Sequence, residues 1–507
     1  MAAVYPLPVT QDLPMLRTKL QSLSRFLKDA LTISNAHTVD FYTECVWKRL
    51  VDLSPETVLA ALKPAAEAEA EAGFSEARPL VEAEKGSGTD FPKIFCETSQ
   101  RLVNVEAFAL AAKRCSVQNL GICTPLEQLL IALRGNKKQR TDNNLKPHEF
   151  MNVKKSHEVQ AMSELISSIA DYYGVKQVID LGSGKGYLSS FLSLKYGLHV
   201  YGIDSSNSNT HGAKERNRKL KKRWKLHRTQ SRVDIPNREM SEANKERRKM
   251  VSQSSESNIY SPLTSFITAD SELHDIIKDL EDCVMVGLHT CGDLAPNTLR
   301  IFTSNSEIKG VCSVGCCYHL LSEEFENEHK ECTEEKWGFP MCQYLKEERW
   351  CCGHNARMSA CLALERVAVG QGLSTESLFY RAVLQDIIKD CYGITKCSEH
   401  VGKIYSKCSS FLDYVRKSLK KLGLDETQLP EKTIMDYYEK YKPRMNELEA
   451  FNMLKVVLAP CVETLILLDR LCYLKEQEDV AWSALVKLFD PVKSPRCYAL
   501  IALKKQQ

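Results

Sequence analysis

The chain has 507 residues, 43% hydrophobic and 26% charged, with a net charge of +3 at pH 7; this is globular composition on a chain too long for one ordinary core, and it predicts two or three domains. No apolar stretch approaches the roughly 20 residues of a membrane helix, and the start, MAAVYPLPVTQDLP, lacks the basic-then-apolar order of a signal peptide, so a soluble protein of the cytoplasm or nucleus is expected. Twenty cysteines in so long a chain exclude a small disulfide scaffold and are expected as thiols.

Leu13, Leu16, Leu20, Leu23 and Leu27 recur at helical spacing, and Ser54 before Pro55 opens a further helix, so residues 1–64 read as an N-terminal helical region. Residues 65–90, Ala/Glu-rich and then Gly/Ser-bearing, read as a flexible linker. Helices resume over 91–145, where Thr124 and Glu127 form a capping-box pair around Pro125 and Gly135 marks a stop.

From 146 the rhythm changes. A helix over 156–173 ends at Gly174, and VKQVIDLG (175–182) reads as a strand. The helix 187–196 stops at Gly197, and LHVYGID (198–204) is a second strand. SFITAD (265–270), CVMVGLH (283–289) and KGVCSVG (309–315) follow as strands in a core spanning 146–373. Alternating strands and helices predict an α/β fold with a parallel sheet covered on both faces. Residues 205–262 form an insertion between the second and third strands. It holds 15 Lys/Arg against 5 Asp/Glu between His211 and Lys249, a net of about +10, and reads as a disordered, solvated loop. Residues 374–450 are a helical insertion. SALVKLFD (483–490) and RCYALIALK (496–504), joined by a short Pro-containing turn, read as an antiparallel pair. Residues 451–507 thus complete a seven-stranded, mostly parallel, Rossmann-like sheet.

The most informative stretch is VIDLGSGKGYLS (178–189), a strand entering three glycines at alternate positions before a helix. Glycines let the backbone turn tightly and approach a ligand, and the helix start offers unpaired N–H groups. A nucleotide-hydrolase phosphate loop needs Gly-Lys-Ser/Thr, whereas Lys185 is followed by Gly186 and Tyr187. A dinucleotide fingerprint needs a third glycine where Tyr187 stands. A ligand-free glycine turn leaves the chain entropy of three glycines unexplained. The pattern acid-x-Gly-x-Gly-x-Gly resembles the loop of S-adenosylmethionine methyltransferases. Asp180 would hold the ammonium of the methionine end, and the loop of Gly182, Ser183, Gly184, Gly186 and Tyr187 its carboxylate. Asp204, ending the second strand, suits a ribose diol, and Asp270, ending the third, an adenine amino group. Acids at successive strand ends point one way, because such sheets bind ligands there.

KPHEFMNVKKSHEV (146–159), DLGSGKGYLS (180–189), GLHTCGDLAP (287–296), SVGCCYHLL (313–321), GFPMCQYLK (338–346) and SPRCYALIALK (494–504) together resemble the methyltransferase-like protein 25 family. The resemblance implies a class I fold, S-adenosyl-L-methionine as cofactor, and Lys154, Lys155, His157 and Glu158 near it; a polar helix start accounts for those four equally well. More loosely, His289-x-Cys291-Gly292 and Cys316-Cys317-Tyr318-His319 are similar to elements of a tRNA 2′-O-methyltransferase family, which has a second histidine where this chain has Tyr318.

Methyl transfer needs chiefly a positioned acceptor, aided by a base when that acceptor is a hydroxyl or protonated amine. His289, after the fourth strand, is the first candidate and His319 the second, since imidazoles titrate near neutrality; a hydrogen-bonded structural histidine is the plainer reading of each. Cys291 or Cys317 as a nucleophile toward a pyrimidine lacks the usual Pro-Cys or Thr-Cys setting. A structural zinc is the other chemical reading of Cys316, Cys317, His319, Cys351, Cys352 and His354, but no metal set is assigned, since they contain no Cys-x-x-Cys pair and adjacent cysteines on a strand point apart. The basic segment 211–249, with Trp224 among its cations, suits an RNA backbone or a nuclear localisation signal. RNA is therefore the favoured acceptor, with a protein acceptor or a catalytically silent scaffold as the alternatives.

Overall fold

β1 (Gln177–Leu181) is buried along its whole length, as a parallel strand covered on both faces must be. The same apolar character produces β2 (His199–Asp204), β4 (Cys283–Cys291) and β5 (Ile308–Cys316), with β3 (Tyr260–Thr264) at one edge. β6 (Val480–Lys487) and β7 (Tyr498–Lys504) complete a seven-stranded sheet of order β3-β2-β1-β4-β5-β7-β6. β1 pairs in parallel with β2 and β4, whereas β7 lies antiparallel between β5 and β6. The chain runs outward from β1 to β3 and returns on the other side as β4. The carboxyl ends of β1 and β4 thus form the switch point at which open α/β sheets take ligands. The computed structural model describes residues 6–62, 93–135, 151–233, 259–326, 336–362, 374–395, 401–402 and 404–506.

Four helices bear on this rim. α1 (Val153–Tyr173) is capped by Asn152, which accepts from Lys155 N at 2.9 Å, and ends on left-handed Gly174. α2 (Tyr187–Tyr196) begins after left-handed Gly186 and ends at Gly197. α3 (Asn207–Val233) follows β2, and α4 (Leu294–Ser304) follows β4.

Contacts divide the chain into two units. One comprises Met1–Thr18, Ile122–Cys351 and Ile466–Gln507 and holds the sheet; the other comprises Lys19–Gly121 and Cys352–Leu465. Within the second, Phe41 and Phe108 share one buried core with Phe379, Tyr414 and Phe451. Most of the N-terminal helices and the 374–450 segment, which read as separate regions, therefore belong together. Lys455 in this core is pushed down to about 8 by burial and donates to Ala36 O at 2.7 Å.

Other expectations are corrected. The third strand is Tyr260–Thr264 and not 265–270. Pro262 argues against a strand in sequence, yet it is tolerated because β3 is an edge strand. The insertion is helical from Asn207 to Val233; residues 234–258 and the expected linker 65–90 fall outside the described residues. The capping box is not formed: Pro125, which has no side-chain acceptor, takes the cap position of the helix Leu126–Arg134, while Thr124 N–H donates to Leu485 O at 2.8 Å. Among the described residues one run, Glu431–Lys475, is long and apolar enough to cross a membrane by length and composition, but 78% of its apolar window is buried inside the protein. Within it the buried Asp469 is satisfied by hydrogen bonds, accepting from Met341 N and Cys342 N at 2.8–2.9 Å. The 18 described cysteines are thiols, none in a disulfide.

Candidate functional site

The glycine loop leaves β1 and turns sharply because Gly182, Gly184 and Gly186 all take positive φ, 68°, 53° and 67°. The turn is tied to β2: Gly182 N and Ser183 N both donate to Ile203 O, at 2.9 and 3.1 Å. A Cβ on Gly186 would collide with the Tyr260 hydroxyl, and one on Gly182 would press on Leu294 at 3.0 Å. At Gly184 a Cβ would meet nothing nearer than Gly182 O at 4.0 Å, so the loop is open there and closed at its other two glycines.

Asp180 is buried, and its carboxylate accepts from Ser189 Oγ in α2 at 2.5 Å. Burial, reinforced by the negative charge of Asp204, pushes its carboxyl up to about 7, against the lowering effects of Ser189 and His289. Sequence reading aims Asp180 at an ammonium group; in the structure it is sealed against the start of α2. Asp204 is half-buried and holds the loop from the other side. One oxygen accepts from Gly184 N at 2.9 Å, and the other from Ser206 N and Asn209 Nδ2 at 2.9 and 3.1 Å. A carboxylate offers about four lone-pair positions, so one remains.

Asp270 does not end a strand. It lies in the turn beyond β3, exposed, with Lys336 Nζ at 2.5 Å. Lys155 sits over the ring of Tyr187 at 4.1 Å, and the Arg216 guanidinium lies 4.0 Å from the same ring. The loop's tyrosine thereby meets two cations, one from α1 and one from α3. His157 is directed elsewhere: Nε2 accepts from Asp490 N at 2.9 Å, and the ring packs edge-on against Phe489. Burial and the neighbouring Lys493 hold its imidazole below the ordinary range. His157 thus braces the β6–β7 connection.

Glu158, one residue on, is fully buried and links three elements. It lies 3.3 Å from His289 Nε2 and 3.6 Å from Lys154 Nζ, and accepts from Ser494 Oγ at 2.6 Å. Burial pushes its carboxyl up, but the bonds from His289 and Ser494 outweigh this and hold it below the usual range. His289 itself is half-exposed at the carboxyl end of β4. His319 stands in the short turn Tyr318–Leu320 that follows β5.

Beside His289, three thiols converge. Cys291 and Cys316 are register neighbours on β4 and β5, with sulfurs 3.1 Å apart, and Cys317 joins them within 4.8 Å. Adjacent cysteines on a strand point apart, but Cys317 is left-handed (φ 51°, ψ 51°), which turns its side chain back. Donation from Cys316 and Cys317 holds the Cys291 thiol below its usual range despite partial burial. Asp180, Asp204, His289 and Cys291 lie close enough to act on one another's charge. One rim therefore carries the loop, two acids, a carboxylate-held imidazole and a thiol cluster.

Some of these groups escape sequence reading. Ser189 lies in the first turn of the helix that the loop opens, so its pairing with Asp180 was within reach. The pairings of Glu158 with His289 and of Cys291 with Cys316 depend on packing and strand register and have no local signal.

Residues 154–324 match the family model described as a methyltransferase domain, a span that contains β1 to β5. The chain is similar to "Probable methyltransferase-like protein 25" of Homo sapiens, 72% identical with the whole of both chains covered. It is similar as well to the protein of the same name from Mus musculus, 64% identical over all of this chain and 99% of that relative.

Proposed function

This chain belongs to the methyltransferase-like protein 25 family, and on that premise we propose that it transfers a methyl group from S-adenosyl-L-methionine to RNA. The observation that carries the reading is the convergence of the left-handed glycine loop, Asp204 and the Glu158-held His289 at the switch point between β1 and β4.

The residues fit the cofactor. Gly184 leaves one side of the loop open, and Asp204 beside it retains acceptor capacity for a ribose diol. The N–H groups at the start of α2 suit a carboxylate. The cofactor, when bound, supplies an electrophilic methyl group on a sulfonium. The chain has to orient the acceptor and accept its proton. With Nε2–H of His289 directed to Glu158, the lone pair falls on Nδ1, and the buried carboxylate stabilises the imidazolium that forms. A ribose hydroxyl is an acceptor that needs such a base.

RNA is favoured by α3, which leaves the rim directly after Asp204 and carries ten Lys/Arg against one acid between His211 and Val233. Cations along one helix match a phosphate backbone. An RNA acceptor is in keeping with a cytoplasmic or nuclear location, which cell fractionation checks.

A second reading, a silent scaffold, is favoured by one observation. Asp180 and Asp204 both have hydrogen-bonding work within the protein, so their presence does not require a cofactor. Calorimetry with S-adenosylmethionine separates the two readings: binding that Asp204→Ala weakens supports the enzyme, and no binding supports the scaffold. Tritium transfer from labelled cofactor into RNA and protein fractions of cells lacking the chain then identifies the acceptor. Label confined to protein would replace RNA in the proposal. Deleting 211–249 is expected to lower RNA affinity and flatten its salt dependence.

A further inference from the structure

The three thiols on the β4–β5 rim form a set that neither the cofactor nor the proposed base uses. Cys291 and Cys316 stand opposite each other where the parallel strands end, at Thr290↔Gly315 and Cys291↔Cys316. Side chains at paired positions of parallel strands leave the sheet on the same face, and the two sulfurs are 3.1 Å apart. Cys317 is brought round by its own left-handed backbone, a conformation that a non-glycine residue adopts at a cost of about 1 kcal/mol. The two loops are clasped at this point: Gly292 N donates to Cys316 O at 3.3 Å, and a Cβ on Gly292 would strike Leu320 O at 2.7 Å. The backbone is thus bent and packed so that three sulfur atoms lie within 4.8 Å of one another.

We propose that Cys291, Cys316 and Cys317 bind a zinc ion. Sulfurs sharing one tetrahedral zinc, each at about 2.3 Å, stand about 3.8 Å from one another, a spacing that the cluster reaches by a small outward shift of the 3.1 Å pair while every sulfur stays within 4.8 Å of the others. A disulfide between Cys291 and Cys316 would join two of the thiols, whereas the geometry brings all three together. Three sulfur donors are a soft set that selects zinc over magnesium or calcium. On binding, each thiol passes its proton to solvent and each sulfur forms a bond to the ion, with no change of oxidation state. Three protein ligands leave the fourth tetrahedral position for water or another ligand, and because Cys291 is exposed that position is reachable from solvent. The proposal does not depend on the cofactor or on RNA.

The test uses the full chain, purified with a non-thiol reductant and stripped with a chelator. Cobalt(II) is titrated in and displaced by zinc(II), and elemental analysis gives the stoichiometry. The expected result is one ion per chain, with near-ultraviolet sulfur-to-cobalt charge-transfer bands that zinc abolishes. Cys291→Ser and Cys317→Ser should each weaken zinc binding at least about 100-fold, whereas Cys45→Ser combined with Cys391→Ser, exposed thiols of the other unit, should leave it unchanged. Cys291 is exposed, so its serine variant should melt with the metal-free parent, which separates loss of a ligand from loss of fold. Less than stoichiometric metal in the parent, binding indifferent to both variants, or a Cys291–Cys316 disulfide persisting in reductant would each overturn the proposal.

Discussion

Oε2 of Glu158 lies 3.3 Å from Nε2 of His289, although 131 positions separate the two residues. The other oxygen accepts from Ser494 in the β6–β7 connection, so the rim histidine is steadied through a buried carboxylate by the last strand pair of the chain. Glu158→Gln keeps the shape and an acceptor for Ser494 but removes the charge facing the imidazole. Transfer to the identified acceptor should fall about 10- to 100-fold through loss of a charge-assisted hydrogen bond, with cofactor affinity unchanged. Equal transfer rates in parent and variant would show that Glu158 does not assist His289.

Asp204 ties the loop to β2 and retains capacity for a ligand. Asp204→Ala should weaken S-adenosylmethionine binding by about 1–3 kcal/mol in calorimetry, and Asp204→Asn, which still accepts from Gly184 N, by less. If alanine leaves affinity as it was, the carboxylate serves the loop alone.

The glycines of the loop should separate binding from folding. Gly186→Ala combines a positive φ with a collision at Tyr260 and should destabilise by about 2–4 kcal/mol in chemical denaturation. Tyr260→Phe, which removes the obstructing oxygen, should restore part of the loss. Gly184→Ala meets open space, so it should lose only about 1 kcal/mol of stability while impairing cofactor binding sharply. Similar stability losses at both positions would contradict the assignment of Gly184 to the ligand side.

Asp180 makes stability depend on pH in a definite direction. Its carboxyl is pushed from the ordinary 3.8 up to about 7 by burial, so the folded state holds the proton more tightly than the unfolded chain. The resulting stabilisation is complete below pH about 4 and is lost as pH rises through about 7. Asp180→Asn has no such proton to lose, so its melting temperature should gain on the parent's between those values. Parallel pH profiles would mean that the carboxyl ionises as in water.

The glycine loop was legible in the sequence because its signal is local: three positions demand positive φ, and an apolar run and a helix must flank them. The same holds for β1, β2, β4 and β5, whose composition matches burial on both faces. β3 was misplaced because SFITAD looks strand-like in sequence, whereas Tyr260–Thr264, interrupted by Pro262, can pair only as an edge strand, and edge position is a property of the finished sheet. The basic segment misled similarly, since its charge concealed that residues 207–233 continue the regular β–α–β succession as α3.

The sequence by itself determined the methyltransferase-type sheet and the loop at its switch point, since short-range backbone preferences and strand burial are written in consecutive residues. Only the tertiary structure decided that Glu158 meets His289, that Cys317 turns toward Cys291 and Cys316, and that Phe41 and Phe108 share a core with Phe379 and Phe451. Those contacts arise from strand register and from packing between distant segments, which local spacing does not encode.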